Sequence, residues 1–247
     1  MKNYFNINIA IKFYLLLPRK IKMFFWGGKA HYCTMCESDL RKFWTFGITS
    51  RPNAFCPMCE SLERHRMDWY FLKNKTNLFD QAHKILLHIA PEKSFEVLFR
   101  IVPGIEYLSA DLNNPHAMVR MDITDIQFPD DTFDVIYCSH VLEHVPDDRK
   151  AMAELFRILK PGGWALLQVP IVIDKTYEDL SLMTAEERIK VFGHPEHVRN
   201  YGQDYKDRLE DAGFHVAVFT ADKLIGKNNL FRYGITSEDL VYYCTKQ

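Results

Sequence analysis

From about residue 82 onward, short apolar runs alternate with segments of helical periodicity, and this alternation constrains the fold more than any other feature of the chain. "KILLHIA" (84–90), "IEYLSAD" (105–111), "TFDVIYCSH" (132–140), "WALLQVP" (164–170), "HVAVFT" (215–220) and "DLVYYCTK" (239–246) read as strands, with a short one near "AMVRMD" (117–122). "KSFEVLFRIV" (93–102), "DDRKAMAELFRILK" (147–160) and "YKDRLEDAGF" (205–214) read as helices. "PGG" (161–163) is expected to stop the second of these, and Gly213 stands just past the end of the third. Such alternation predicts an α/β fold, a doubly wound parallel sheet with helices on both faces. Ligands of such sheets bind beyond the carboxyl ends of the strands, where the strand order reverses.

Before residue 82 the chain has a different character. "CTMC" and "CPMC" give C-x2-C-x19-C-x2-C, and each pair places two thiolates on one tight knuckle. Cys33, Cys36, Cys56 and Cys59 therefore predict a closed, structural four-cysteine Zn2+ site. Cys138 and Cys244 stand alone in strand-like runs, so no disulfide framework reads out, and a reducing cytoplasm is the expected compartment. Residues 1–75 hold 13 Lys/Arg against 5 Asp/Glu and the remainder 18 against 27, so a segment of +8 precedes a body of −9. That excess suits RNA or an anionic membrane surface, and it equally suits a basic module docked on an acidic body. Arg41, Lys42, Arg51, Arg64 and Arg66 would form the basic surface of the module. "SLERHRMDWYFLKN" reads as a helix leaving it, with Leu62, Trp69, Phe71 and Leu72 as its apolar contacts.

Residues 1–30 are apolar and basic, yet Lys12 and three asparagines interrupt them and no small-residue cleavage site follows, which excludes a signal peptide. The uninterrupted runs fall well short of the ~20 residues of a membrane span. An interfacial segment with Lys2, Lys12, Arg19, Lys20 and Lys22 for anionic headgroups remains, giving peripheral contact at the inner face of the membrane. A helix packed on the domain or on an oligomeric partner fits the same residues. The expected organisation is thus 1–30 as a basic apolar segment, 31–75 as the zinc module with its helix, and 76–247 as the main domain.

"SHVLEHV" (139–145) contains H-x-x-E-H, which on a helix would converge His140, Glu143 and His144 as in zinc peptidases. Its setting argues otherwise, because the motif follows a strand and a peptidase carries it inside a long helix. The whole stretch "DDTFDVIYCSHVLEHVPDDRKAMAELFRILKPGGWALLQVP" resembles class I S-adenosylmethionine-dependent methyltransferases of the type 11 group. The resemblance covers about residues 84 to 245 and implies a mostly parallel, seven-stranded, Rossmann-like sheet. "HVRNYGQDYKDRLEDAGF" resembles a subgroup of these enzymes, some of which begin with a cysteine-rich module.

By that resemblance the first strand should end in an acid followed by a glycine-rich turn. Here His88 stands for the acid, and Ala90, Pro91 and Glu92 replace glycines. S-Adenosylmethionine has no phosphate, so the loss is tolerable: the helix N-terminus at Lys93 can meet its carboxylate and Glu92 its ammonium. Asp111, with Leu112 beside it, is implied to take the ribose hydroxyls, and Asp122 with the backbone of Ile123 the adenine. Asp111 also reads as a turn residue before "LNNP". Ser139 and His140 begin the loop along the methyl group, and His140 and His144 are the candidate bases for a hydroxyl acceptor. Some related O-methyltransferases hold a catalytic divalent ion with a Glu/His pair in this loop, which Glu143 and His144 offer.

Residues 171–201 form the expected substrate lid, with His194, His197, Arg199 and Tyr201 as cations and a phenol for an anionic or hydroxylated substrate. The leading reading is O-methylation of a small-molecule or lipid- or sugar-linked acceptor. An RNA methyltransferase is the alternative, its pyrimidine C5 chemistry requiring Cys138 as nucleophile. A non-catalytic scaffold of the same fold is the third.

Overall fold

The computed structural model describes residues 16–47 and 50–247, in two compact units. The expected interfacial segment thus lies outside the described residues as far as residue 15. The first unit takes the described chain up to Phe79 together with Phe219–Val241. That second stretch, expected to belong to the main domain, joins the zinc module instead.

In this unit a helix at Arg19–Trp26 leads into β1 (Gly27–Cys33), which pairs antiparallel with β2 (Ser38–Leu40); β3 (Trp44–Phe46) pairs with β4 (Arg51–Phe55). The expected connecting helix runs Glu63–Lys75 and buries Trp69, Phe71 and Leu72, with Leu62 buried at its start. Arg66 does not belong to a basic surface. It is fully buried, and its guanidinium donates to the carbonyls of Asn53, Ala54, Ser61, Tyr233 and Gly234 at 2.6–3.2 Å. Five carbonyls facing one cation compensate a charge that burial would otherwise make costly. They also explain why the stretch near residue 234 belongs to this unit. Arg51 is likewise engaged, with Glu63 at 2.5 Å.

The second unit is built on a seven-stranded sheet of β5 (Lys84–Ile89), β6 (Ile105–Asp111), β7 (Val119–Arg120), β8 (Phe133–Ser139), β9 (Leu159–Gln168), β12 (His215–Thr220) and β13 (Leu240–Thr245), with β10 (Tyr177–Glu178) and β11 (Arg199–Asn200) outside it. The strand order is β12-β13-β9-β8-β5-β6-β7. β5 through β9 pair in parallel, and β13 runs antiparallel to β9. This is the doubly wound, mostly parallel sheet that the alternation predicts. The chain starts at β5, winds outward through β6 and β7, then returns to β8 on the other side, so the order reverses between β5 and β8. Their strands are nearly all apolar and buried, as a sheet covered on both faces requires.

One boundary moves. The helix expected over 147–160 ends at Ile158, and β9 begins at Leu159, so "PGG" lies inside the strand. The register shows why: Phe133 pairs with Leu159 and Val135 with Trp164, so "PGG" is accommodated as a bulge. Gly162 takes φ 78° there.

Candidate functional site

Several predicted site residues gather at the carboxyl ends of β5, β6 and β8. Ala90 just beyond β5 and His140 just beyond β8 both adopt left-handed backbone, φ 49° and 56°. Residues with a Cβ rarely do so, and such strain concentrates at functional turns. Ala90 thus takes the backbone shape a glycine-rich turn would supply, and its N–H donates to Ala110 O at 2.8 Å. Pro91 and Glu92 complete the turn, half-buried.

His88 is placed differently from expectation. It is fully buried among Phe95, Phe99, Tyr107 and Tyr137, away from solvent. Its Nε2 accepts the Glu92 N–H at 3.3 Å, so Nδ1 carries the proton and donates to Tyr107 Oη at 3.0 Å. His88 therefore braces the turn from beneath.

Asp111 proves to be a turn residue and more. Its Oδ1 accepts the N–H groups of Asn113 and Asn114, each at 2.7 Å, which fixes the carboxylate and leaves Oδ2 for a ligand. Asp122 is held similarly, Oδ1 accepting from the N–H and Oγ1 of Thr124, both at 2.8 Å. Leu112 and Asp122 line an open cleft of about 560 Å³ with Met121, Asp125, Gln127 and Phe128, and Ile123 is buried beside it. A cleft with an apolar floor and a fixed acid at its edge suits an adenine ring. Ser139 Oγ, buried at the end of β8, has no hydrogen-bond partner. An orphaned hydroxyl, a free carboxylate oxygen and a turn already bent for close approach together fit S-adenosylmethionine.

After β8 the H-x-x-E-H residues do not lie on a long helix; Leu142–His144 form a single 3-10 turn, which disposes of the peptidase geometry. His140 Nδ1 stands 3.2 Å from Glu143 Oε1, and Glu143 is 1% exposed. Burial pushes the Glu143 carboxyl up, but the His140 contact and the nearby His144 outweigh it and hold the group below the ordinary carboxylate value. A buried carboxylate on Nδ1 orients the ring and leaves Nε2 outward as a base. Cys138, by contrast, is buried within β8 with its thiol pushed well up by burial, so the nucleophile required by the pyrimidine alternative is out of reach.

The expected lid has structure of its own. β10 (Tyr177–Glu178) pairs with β11 (Arg199–Asn200), and a helix at Ala185–Phe192 starts on a Thr184/Glu187 capping box. Arg199 and Tyr201 face inward and are not available to a substrate. Arg199, fully buried, donates to the carbonyls of Leu142, Val145 and Pro146 and to Glu178, and lies 3.6 Å from Asp148; the Tyr201 hydroxyl donates to Asp148 at 2.7 Å. Arg199 pins the loop that carries Glu143 and His144, a role its sequence neighbourhood did not announce. Arg199→Met should therefore cost about 3–5 kcal/mol, because three buried carbonyls lose their donor, while Asp148 keeps Arg208 at 3.0 Å and Tyr201. Thermal unfolding checks this, and an unchanged midpoint would remove the clamp from the account.

His194 and His197 come to lie against His144, with ring centroids 4.4–5.4 Å apart. Burial pushes both lid imidazoles below the ordinary value, His197 to about 4.

In the first unit the four cysteines converge. Cys33 and Cys59 Sγ are 3.7 Å apart and Cys36 and Cys56 3.8 Å, with all four sulfurs within 4.8 Å of one another. A tetrahedral zinc with Zn–S bonds of ~2.3 Å has edges of about 3.8 Å. The cluster fits that ion and is far too open for a disulfide of ~2.05 Å. Burial opposes ionisation of Cys33, yet hydrogen bonds from the other three thiols hold it well below the ordinary thiol value, while burial pushes Cys56 up. Four adjacent thiolates repel one another unless a cation sits among them.

Comparison with known proteins agrees with this geometry. Residues 101–167 match the family described as methyltransferase domain. An uncharacterized methyltransferase of Schizosaccharomyces pombe is 38% identical over 76 residues, 29% of this chain and 27% of that protein. A ubiquinone/menaquinone biosynthesis C-methyltransferase of Vibrio campbellii is 47% identical over 49 residues, 20% of this chain and 19% of that protein. The chain thus spans about a quarter or less of these curated relatives. A solved S-adenosylmethionine dependent methyltransferase from Mesorhizobium loti superposes with a TM-score of 0.49 at 14% identity, covering 72% of this chain and 96% of that one.

Proposed function

We propose that this chain, whose residues 101–167 are a methyltransferase domain, transfers a methyl group from S-adenosylmethionine to a hydroxyl of a small-molecule or lipid-linked acceptor. The observation that carries the reading is His140, held in a strained left-handed turn at the end of β8 with the buried Glu143 carboxylate on its Nδ1. When bound, the cofactor supplies an activated methyl group on a sulfonium that departs as a neutral thioether. Asp111 Oδ2 would hold the ribose, the Asp122 edge the adenine, and Ser139 Oγ with the Ala90 turn the methionine end. His140 Nε2 takes the acceptor proton, and Glu143 stabilises the imidazolium that forms.

The lid supports an apolar acceptor. Val172, Tyr177, Leu180 and Met183 are exposed along it, and the Vibrio relative is named for quinone biosynthesis. In the first unit the helix Arg19–Trp26 exposes Phe24 and Phe25, which is consistent with the membrane-surface reading. No helix among the described residues is long and apolar enough to cross a membrane.

Labelled S-adenosylmethionine offered with a lipid extract, an aqueous metabolite extract and total RNA tests this. The expected label enters a hydroxyl of a lipid- or small-molecule product, and His140→Gln lowers turnover by about 10²–10⁴-fold while cofactor affinity holds. Label on carbon would transfer the reading to C-methylation, and label on RNA alone would sink it. If the N-terminal segment serves a lipid acceptor, replacing the exposed Phe24 and Phe25 by serine should lower the yield from membranes and not from detergent-dispersed lipid.

A further inference from the structure

The loop after β8 and the lid meet at three histidines, and no step proposed so far uses them as a group. His144, His194 and His197 each offer a ring nitrogen, and these nitrogens lie within 4.8 Å of one another. A tetrahedral zinc with Zn–N bonds of ~2.0–2.1 Å sets its nitrogens about 3.4 Å apart. The observed spacing is within a side-chain rotation of that value. Three imidazoles this close have little reason to gather on a half-buried surface unless something holds them, since any protonation sets like charges against each other.

The surroundings are those of a ligand set. His144 Nδ1 is 3.2 Å from the Glu196 carbonyl and donates to it, which fixes the ring and turns the Nε2 lone pair free for an ion. The Glu196 N–H donates to His194 Nδ1 at 3.2 Å, so that nitrogen carries the free lone pair of the neutral ring, and an ion bound there takes the place of this one hydrogen bond. The Val198 N–H donates to the Glu143 carbonyl at 3.0 Å, and the Arg199 clamp ties the same two segments together. Next to His144 in the chain is Glu143, 1% exposed, whose Oε1 stands 3.2 Å from His140 Nδ1 and whose Oε2 has no hydrogen-bond partner. A buried carboxylate next in the chain to one of three clustered imidazoles is an arrangement a cation would complete.

We propose that His144, His194 and His197 bind one divalent transition-metal ion, with Glu143 as its buried counter-charge. Imidazole selects zinc, iron, cobalt or nickel over magnesium and calcium, which demand oxygen ligands. Three protein ligands leave a position open, as catalytic metal sites do and the four-cysteine site does not. Resting on the O-methylation reading above, that position takes the acceptor oxygen, so that the substrate class narrows to acceptors able to present a hydroxyl to a metal. The ion would also fasten the lid to the loop that carries the base.

The test is a zinc count on the full-length protein, loaded with excess zinc and desalted, with no acceptor present. The wild type should retain one zinc more per chain than the His194→Ala/His197→Ala double variant, both keeping the cysteine-held ion and the same circular dichroism. Equal zinc in the two proteins overturns the proposal. A second measurement needs no folded double variant: cobalt titrated into wild type carrying only its cysteine-held zinc should give d–d bands without thiolate charge-transfer absorption, and Glu143→Gln should weaken that binding roughly 10- to 100-fold. Cobalt bands that appear only with thiolate charge transfer also overturn it. Because neither readout involves methyl transfer, the two ideas fail separately. A missing ion with active O-methylation removes the site alone; a bound ion with no methylated hydroxyl removes the acceptor reading alone.

Discussion

Replacing Asp111 by asparagine should leave the fold unchanged and weaken S-adenosylmethionine roughly 10- to 150-fold, the equivalent of the about 1.5–3 kcal/mol carried by a hydrogen bond to a charged group. The choice of asparagine matters. In the native protein Oδ1 already accepts two backbone N–H groups and shapes the turn at Asn113 and Asn114. An asparagine oxygen keeps both of those bonds. What it loses is the second acceptor: an N–H2 donor would face the ribose hydroxyls in place of Oδ2. Calorimetric titration of the purified protein checks the affinity, and thermal unfolding checks the turn. An unaltered dissociation constant would mean that the cofactor does not lie along β6, and the assignment of Asp122 and Leu112 would fall with it.

The second large effect belongs to the zinc module. Stripping the metal with a chelator, or replacing Cys56 by serine, should unfold the first unit while the sheet survives. Structural zinc in small fingers contributes about 10–16 kcal/mol, as much as or more than the about 5–15 kcal/mol that holds a whole domain together. The strands β1–β4 are short ribbons, and the apolar core of the unit, with Phe43, Phe55, Met67, Phe71 and Leu72, packs around a fully buried Arg66. Hydrogen exchange should therefore rise over Glu63–Lys75 and Lys227–Tyr233, and stay slow over β5 and β8. Retained protection in the chelated protein would show that the Arg66 network suffices without metal.

Much of this was readable in the chain. Short continuous apolar runs bounded by turn residues located the central strands, as a sheet covered on both faces requires. The four cysteines announced their site because knuckle spacing is a local property. Legibility failed wherever a residue's role depends on a distant partner. Arg66 reads as surface charge until Tyr233 and Gly234 arrive from far along the chain. Arg199 and Tyr201 read as substrate contacts in a polar lid, yet the carbonyls of the 142–146 loop and Asp148 draw both inward. The histidine cluster had only half a signal, the H-x-x-H of His194 and His197. Its third member lies fifty residues earlier and is placed by the β10–β11 pairing and the Arg199 clamp. His88 misled for a different reason: its position matched the cofactor strand, but side chains alternate along a strand, and this one points into the packed face.

The first unit is also discontinuous, with Phe219–Val241 supplying the carbonyls that Arg66 requires. This sets an order on biosynthesis. The cysteine module leaves the ribosome first but holds a buried arginine with two of its five acceptors still unmade. A module translated before the sheet is consequently finished after most of it, only a few residues before β13. A chain cut short before Tyr233 thus lacks two of the acceptors of Arg66 as well as β13.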